Sequence, residues 1–287
     1  MKDFLILDGP TGTELIARGF PSEPGLWTAR AALEAPDLLR QVHRDYLAAG
    51  ANILTANTFR TSSYALAKGG YDAAFARRLT HASMAVATEA IEEFSEDAAG
   101  GPRFLAGSLA PIEDCYRPQA APELATLERV HAETAAWLVE AGADLILAET
   151  MGSAREALVA VRAARRAGAS VSVSFITDES GARLLGGDTV LVNCVHSDVV
   201  EKALGELQPL ASDGVVLGAY ANAARMRVHP ITGAVEWESD SRPVEQQATE
   251  YGGRAEAWAR RFGARIIGGC CDMTPLHVRA LTQAFRK

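Results

Sequence analysis

The stretch LILAETMGSAREALVAVRAARRAGASVSVSFI, residues 145–176, places an amphipathic segment between two short apolar runs. Leu145–Glu149 and Val171–Ile176 have the length and composition of buried strands. Ser153–Ala167 between them is helix-like, and Gly168 in RAGAS can take the left-handed conformation that closes a helix. Strand, helix and strand in that order form a βαβ unit, whose strands run parallel with a right-handed crossover.

The same alternation extends in both directions. Further strands are predicted at Phe4–Leu7, Asn52–Asn57, Arg103–Ser108, Val190–Asn193, Val215–Ala219 and Arg265–Gly268. Helices are predicted over Pro36–Ala49, Ala73–Phe94, Pro122–Ala141, Asp198–Leu210, Val244–Phe262 and Pro275–Phe285, the last with Thr274 as N-cap. The segments AAGAN, EAGAD and RFGAR repeat the glycine stop of RAGAS. Eight strands alternating with helices in a chain of 287 residues, with no Pro/Gly/Ser-rich linker, favour a single (β/α)8 TIM barrel domain over residues 1–287. An open doubly wound sheet is the other closure. One connection is odd: TDESGARLLGGDT, between the fifth and sixth strands, carries no convincing helix. A shortened or missing helix there should leave that side of the barrel thinly covered.

Composition narrows the function classes. Hydrophobic residues at 48% and charged residues at 22% suit a soluble protein with a sizeable core. A net charge of −8 argues against a binder of nucleic-acid backbones. The opening MKDFLILDGPTG has an apolar run broken by Asp8 and Gly9, so it reads as neither signal peptide nor anchor. No run approaches the roughly eighteen apolar residues of a membrane span. Four cysteines are too sparse for a disulfide framework, so a cytoplasmic setting is expected.

In a (β/α)8 barrel the chemistry sits at the C-terminal ends of the strands. Those ends carry Asp8, Asn57, Glu149, Asn193, Cys194, Cys270 and Cys271. Cys270 and Cys271 are adjacent, and a strand would point them to opposite faces. Gly268 and Gly269 before them and the helix start after them give the backbone freedom to turn. Cys194 can then face both from across the mouth. Two readings stand: three small buried side chains, or a tetrahedral metal site with sulfurs roughly 3.8 Å apart and one open position, the catalytic arrangement for zinc. Cys115 reads as a loop residue or pocket wall. His43, His81, His131 and His277 fall within helices and read as packing or surface residues; His196 is near enough to Cys194 to reach the site.

Several blocks, in order, resemble the homocysteine S-methyltransferase family. IIGGCCDMTPLHVRAL is similar to its GGCCGTTPxH signature and LDGPTGTELIARG to its DGAMGTEL…RG opening. TANTF, AGSLAPIEDCYRP, LILAET and LVNC match further blocks, so the resemblance runs from Leu7 to Leu281. It implies a (β/α)8 barrel holding catalytic Zn2+ on Cys194, Cys270 and Cys271. It also implies a homocysteine pocket in which Asp8 and Glu149 take the ammonium group, the backbone at Thr11 and Gly12 takes the carboxylate, and Asn193 supports the site. Trp27 resembles an aromatic that walls the donor pocket in relatives, and packing is its other reading. Betaine users in the family carry a tyrosine after the strand-four glutamate, where this chain has Thr150, and folate users carry domains absent here. A sulfonium donor, S-methylmethionine or S-adenosylmethionine, is therefore expected to methylate homocysteine to methionine. Betaine or another donor, a selenol acceptor, and a non-catalytic zinc-binding barrel are the alternatives.

Overall fold

The computed structural model describes residues 4–95, 102–176, 189–211, 215–228 and 235–285. In chain order its first half contains β1 (Leu5–Ile6), α1 (Thr11–Ala17), α2 (Ala31–Glu34), α3 (Pro36–Ala49), β2 (Ile53–Thr55), α4 (Ser63–Ala67), α5 (Ala73–Ser95), β3 (Phe104–Leu109), α6 (Leu124–Glu140) and β4 (Leu145–Met151). The second half contains α7 (Ala154–Arg166), β5 (Ser170–Phe175), β6 (Thr189–His196), α8 (Ser197–Ala211), β7 (Val216–Asn222), β8 (Arg225–Val228), β9 (Val235–Glu238), α9 (Val244–Phe262), β10 (Ile266–Gly269) and α10 (Pro275–Phe285).

Eight parallel strands run in the order β1-β10-β7-β6-β5-β4-β3-β2. The two ends of that order meet. Asn52 donates its N–H to the Ile6 carbonyl at 2.7 Å, and Asp8 donates to Ile53 at 2.9 Å, which closes the barrel. The expected (β/α)8 architecture is therefore the observed one. The TDESGARLLGGDT connection lies outside the described residues except for Thr189, but β5 and β6 pair directly in parallel register.

Local chemistry explains the repeats. In α7, Ser153 caps the helix by accepting the Glu156 N–H at 3.3 Å, and Arg165 and Arg166 occupy the last turn, where cations favour the helix dipole. Gly50, Gly142, Gly168 and Gly263 all adopt positive φ, as a left-handed helix stop requires. Glu156 is buried and its carboxylate accepts the Ile112 N–H at 2.9 Å and lies 3.2 Å from His131 Nε2, joining α6, α7 and the loop after β3.

Side-chain alternation divides each strand between two cores. Along β4, Ile146 and Ala148 pack outward against the helices, whereas Leu145 and Leu147 point into the barrel. Leu147 joins Leu7, Ile53, Ala106, Leu191 and Tyr220 in an apolar plug. Burying one such leucine contributes about 2 kcal/mol. The next inward positions beyond the plug are polar: Thr55, Ser108, Glu149 and Ser174. The plug is thus the floor on which the mouth residues stand.

Two features were not anticipated. Three short helices, α1, α2 and α4, sit in the loops, and an antiparallel hairpin, β8–β9, follows β7 with Met226 paired to Trp237. Its strands do alternate in sequence, RMRV and VEWE on either side of a stretch that contains Pro and Gly, a signal a hairpin search finds.

Candidate active site

At the C-terminal mouth a cavity of about 630 Å³ is lined by residues from every part of the chain. Asp8, Thr11, Gly12, Glu149, Cys194, Cys270 and Cys271 all line it, so the structure gathers seven of the eight expected site residues around one space. The eighth, Asn193, is fully buried just behind and donates Nδ2 to Thr150 Oγ1 at 2.9 Å.

The three cysteine sulfurs lie within 4.8 Å of one another, with 3.7 Å between Cys194 and Cys271. That spacing matches the roughly 3.8 Å of tetrahedral Zn–S geometry. All three are free thiols, and among the described residues they are the one group able to hold a metal ion. Two backbone devices bring them together. β6 breaks register between Asn193 and His196, with Cys194 left-handed at φ 56°. β10 ends at Gly269, after which Cys270 still donates to the Ala221 carbonyl at 2.8 Å and the Cys271 carbonyl accepts from Ala223 at 3.0 Å. A turn from Met273 N–H to the Cys270 carbonyl, with Asp272 at φ 62°, then swings Cys271 to the same side. The expectation that Gly268 and Gly269 supply conformational freedom is corrected here. Neither is left-handed; a Cβ on Gly268 would stand 2.7 Å from Leu7 Cβ, so the need is for space.

Thr150 repeats the device on β4, at φ 60° beside a register break between Ala148 and Met151. Non-glycine residues in this conformation cost of the order of 1–3 kcal/mol and persist where the surroundings over-determine them. The Asn193–Thr150 bond ties the two breaks together, and Ser174 Oγ accepts the Thr150 N–H at 3.2 Å.

The carboxyls are held in unfavourable surroundings. Burial lifts the Glu149 carboxyl to about 7, opposed by hydrogen bonds from Ser108 and from Tyr220. Asp8, 2% exposed, is likewise raised well above the carboxylate range by burial, although it accepts Thr55 N–H at 2.7 Å and Thr55 Oγ1 at 2.9 Å. Two raised carboxyls facing one cavity are suited to an incoming cation. Glu149 does not cap α7, since Ser153 does.

Among the sulfurs, hydrogen bonds donated by Cys270 and Cys271 hold the Cys194 thiol well below its ordinary range, while Cys270 and Cys271, as the donors that keep their protons, are raised. The Tyr116 hydroxyl lies 3.2 Å from Cys194 Sγ. Cys115 is buried, lines the cavity and has its thiol pushed up to about 12 by burial, outside the three-sulfur group. His196 faces Asp198 at 3.3 Å and lines a separate small polar cavity. His43, His131 and His277 are packed in the interior. Trp27 closes one wall over Gly12, where a Cβ would meet its ring at 2.7 Å. Ser108, Tyr116, Tyr220 and Trp237 were not singled out from the sequence. Tyr116 stands inside the DCYRP block, and the other three sit on alternating strand positions.

A (β/α)8 barrel whose mouth gathers three free thiols and two carboxyls around one cavity is the class of protein that the fold and site define, and comparison with known proteins gives its family. A profile of the homocysteine S-methyltransferase family matches residues 5–285, and the chain belongs to that family of methyl-transferring enzymes. It is 31% identical to the homocysteine S-methyltransferase of Escherichia coli strain K12 over 98% of this chain and 94% of that protein. It is 28% identical to the Bacillus subtilis homocysteine S-methyltransferase YbgG over 96% and 93% of the two chains. The crystal structure of the Escherichia coli homocysteine methyltransferase MmuM in its metallated form superposes with a TM-score of 0.79 at 26% identity, covering 98% of this chain and 96% of that one.

Proposed function

We infer that this protein transfers a methyl group from a sulfonium donor, S-methylmethionine or S-adenosylmethionine, to the thiol of homocysteine, giving methionine, at Zn2+ held by Cys194, Cys270 and Cys271. The observation that carries the reading is the group of three sulfurs within 4.8 Å of one another beside two carboxyls with raised pKa. The donor set fits zinc: three soft sulfurs, one thiol already lowered by its neighbours, and an open side toward the cavity. When bound, zinc supplies a thiolate at neutral pH from a thiol that is otherwise mostly protonated.

The remaining roles belong to the chain. Asp8 and Glu149 take the ammonium group of homocysteine, which returns both carboxyls toward ionisation. The first amides of α1, at Thr11 and Gly12, have no carbonyl one turn back and receive its carboxylate. Asn193 holds the β4 and β6 breaks in register and so fixes Cys194. The cavity wall carries Asp8, Glu23, Asp114, Glu149 and Asp272 against a single guanidinium, Arg60; Glu23 is paired with Arg30, and an arriving cation draws the raised carboxyls toward ionisation, so the wall accommodates a cationic donor. Arg60 is itself engaged by the Glu113 carbonyl at 2.8 Å. Free thiols in this arrangement suit a reducing compartment, the cytoplasm. No described helix is long and apolar enough to cross a membrane.

The test is a panel of donors supplied with homocysteine to zinc-loaded protein, reading methionine. Methionine formed from a sulfonium donor is the expected result. No methionine from any sulfonium donor would overturn the reading.

A further inference from the structure

The mouth of the cavity has a wall that the homocysteine contacts leave unused. Tyr116, from the loop after β3, and Trp237, from β9, both line the cavity with the three cysteines. Their rings stand 6.1 Å apart at 77°, edge to face. Trp237 is 42% exposed, and of the large apolar side chains left exposed among the described residues it is the one lining this cavity. We propose that Tyr116 and Trp237 form the surface that receives the positively charged end of the methyl donor.

The proposal rests on the methyl-transfer reading above and adds where the donor's charge is recognised. A sulfonium centre carries positive charge but no N–H or O–H, so hydrogen-bond acceptors gain little from it. The negative faces of aromatic rings suit such a cation, as they do quaternary ammonium groups. The other rings at the mouth have partners of their own, Tyr220 through its hydroxyl to Ser174 and Glu149. Phe59 carries Arg60 at 5.0 Å from its centroid and meets Trp27 edge-on at 5.9 Å. Trp27 is packed over Gly12. Tyr116 and Trp237 are the pair that combines a ring held beside Cys194 with an exposed indole lining the cavity.

Position also selects them. The Tyr116 hydroxyl at 3.2 Å from Cys194 Sγ anchors that ring beside the sulfur group, where the acceptor thiol must stand. Trp237 is not carried on a loose loop. The hairpin is braced at its first residue, where Arg225 binds Asp198 at 2.6 Å, and Asp198 also binds Arg254 of α9 at 2.5 Å. The added hairpin thus has a physical purpose, which is to place an indole opposite the attacking sulfur. The carboxyls of the lining accommodate the cation, and the rings set its orientation.

The test compares Trp237→Leu, which keeps an apolar side chain without a ring, with Trp237→Phe. With S-methylmethionine as donor and saturating homocysteine, the leucine variant should raise the donor KM about tenfold. The homocysteine KM should stay unchanged, and the phenylalanine variant should keep most of the wild-type value. Inhibition against the donor by 2-amino-5-methylhexanoate, in which carbon replaces the charged sulfur, supplies the control for charge. The wild type should prefer the sulfonium over this neutral isostere, and the leucine variant should lose about tenfold of that preference. Without any turnover, trimethylsulfonium should change the tryptophan fluorescence of the wild type and not that of Trp237→Leu. An unchanged preference, or an unchanged fluorescence response, in the leucine variant overturns the proposal. If the wild type forms no methionine from any donor, the methyl-transfer reading fails, while the trimethylsulfonium titration still decides whether these rings bind an onium cation.

Discussion

Glu149→Gln should make the metal-free protein more stable and its homocysteine site useless. In the folded protein burial lifts this carboxyl from its ordinary 4.5 to about 7. Between those two pH values the native state therefore holds more protons than the unfolded chain. The unfolding free energy must then fall as pH rises through that window. At about 1.4 kcal/mol per pH unit, the deficit is below about 1 kcal/mol at pH 5 and reaches about 3 kcal/mol at pH 8. Glutamine has nearly the same volume, can accept the Ser108 hydroxyl and stays within reach of Tyr220, 3.4 Å from the carboxylate in the native chain. It removes the desolvated charge without opening a cavity. Urea denaturation of both proteins in chelator, at pH 5 and pH 8, measures the difference directly. The variant should gain about 3 kcal/mol at the higher pH and under about 1 kcal/mol at the lower one. Its homocysteine affinity should drop at least about tenfold through loss of the ammonium partner. A variant that is less stable at pH 8, or equally shifted at both pH values, would refute the view that Glu149 is a strained carboxyl kept for a cation.

Three further outcomes follow from other parts of the molecule. Purified protein should contain about one zinc per chain, and Cys271→Ala should lose most of it by metal analysis, since two sulfurs cannot complete the site; retained zinc would remove Cys271 from the ligand set. Homocysteine binding to the zinc form near neutral pH should release a proton, visible by calorimetry in buffers of different ionisation enthalpy; an enthalpy independent of buffer would mean that the thiol stays protonated. Glu156→Ala should cost about 3 kcal/mol in denaturant unfolding because it strands the buried Ile112 N–H and its His131 partner, while leaving the homocysteine KM unchanged.

Much of this site was legible one strand at a time. The βαβ unit at 145–176 shows its period and its glycine stop within a few dozen residues, and the observed strands and helix lie within two residues of that reading. The adjacent cysteines announced a break in alternation, which the turn at Cys270–Met273 supplies. The left-handed Cys194 and Thr150 were not legible, because nothing in LVNC or LAET distinguishes them from ordinary strand residues. Their conformations answer to each other through the Asn193–Thr150 bond, a contact spanning 43 residues of sequence.

The sequence by itself determined the barrel, the mouth at which its strands end, and the cysteines and carboxyls that stand there. These follow from apolar period and turn chemistry, which act over about ten residues; the roles of those side chains were implied only by the family resemblance. Only the tertiary structure decided that Cys194 reaches Cys271 at 3.7 Å, that Asp8 and Glu149 share one cavity, and that Tyr116 meets an indole from the hairpin. Those distances depend on how eight tilted strands stagger as they close, a relation among segments far apart in the chain that no local pattern carries.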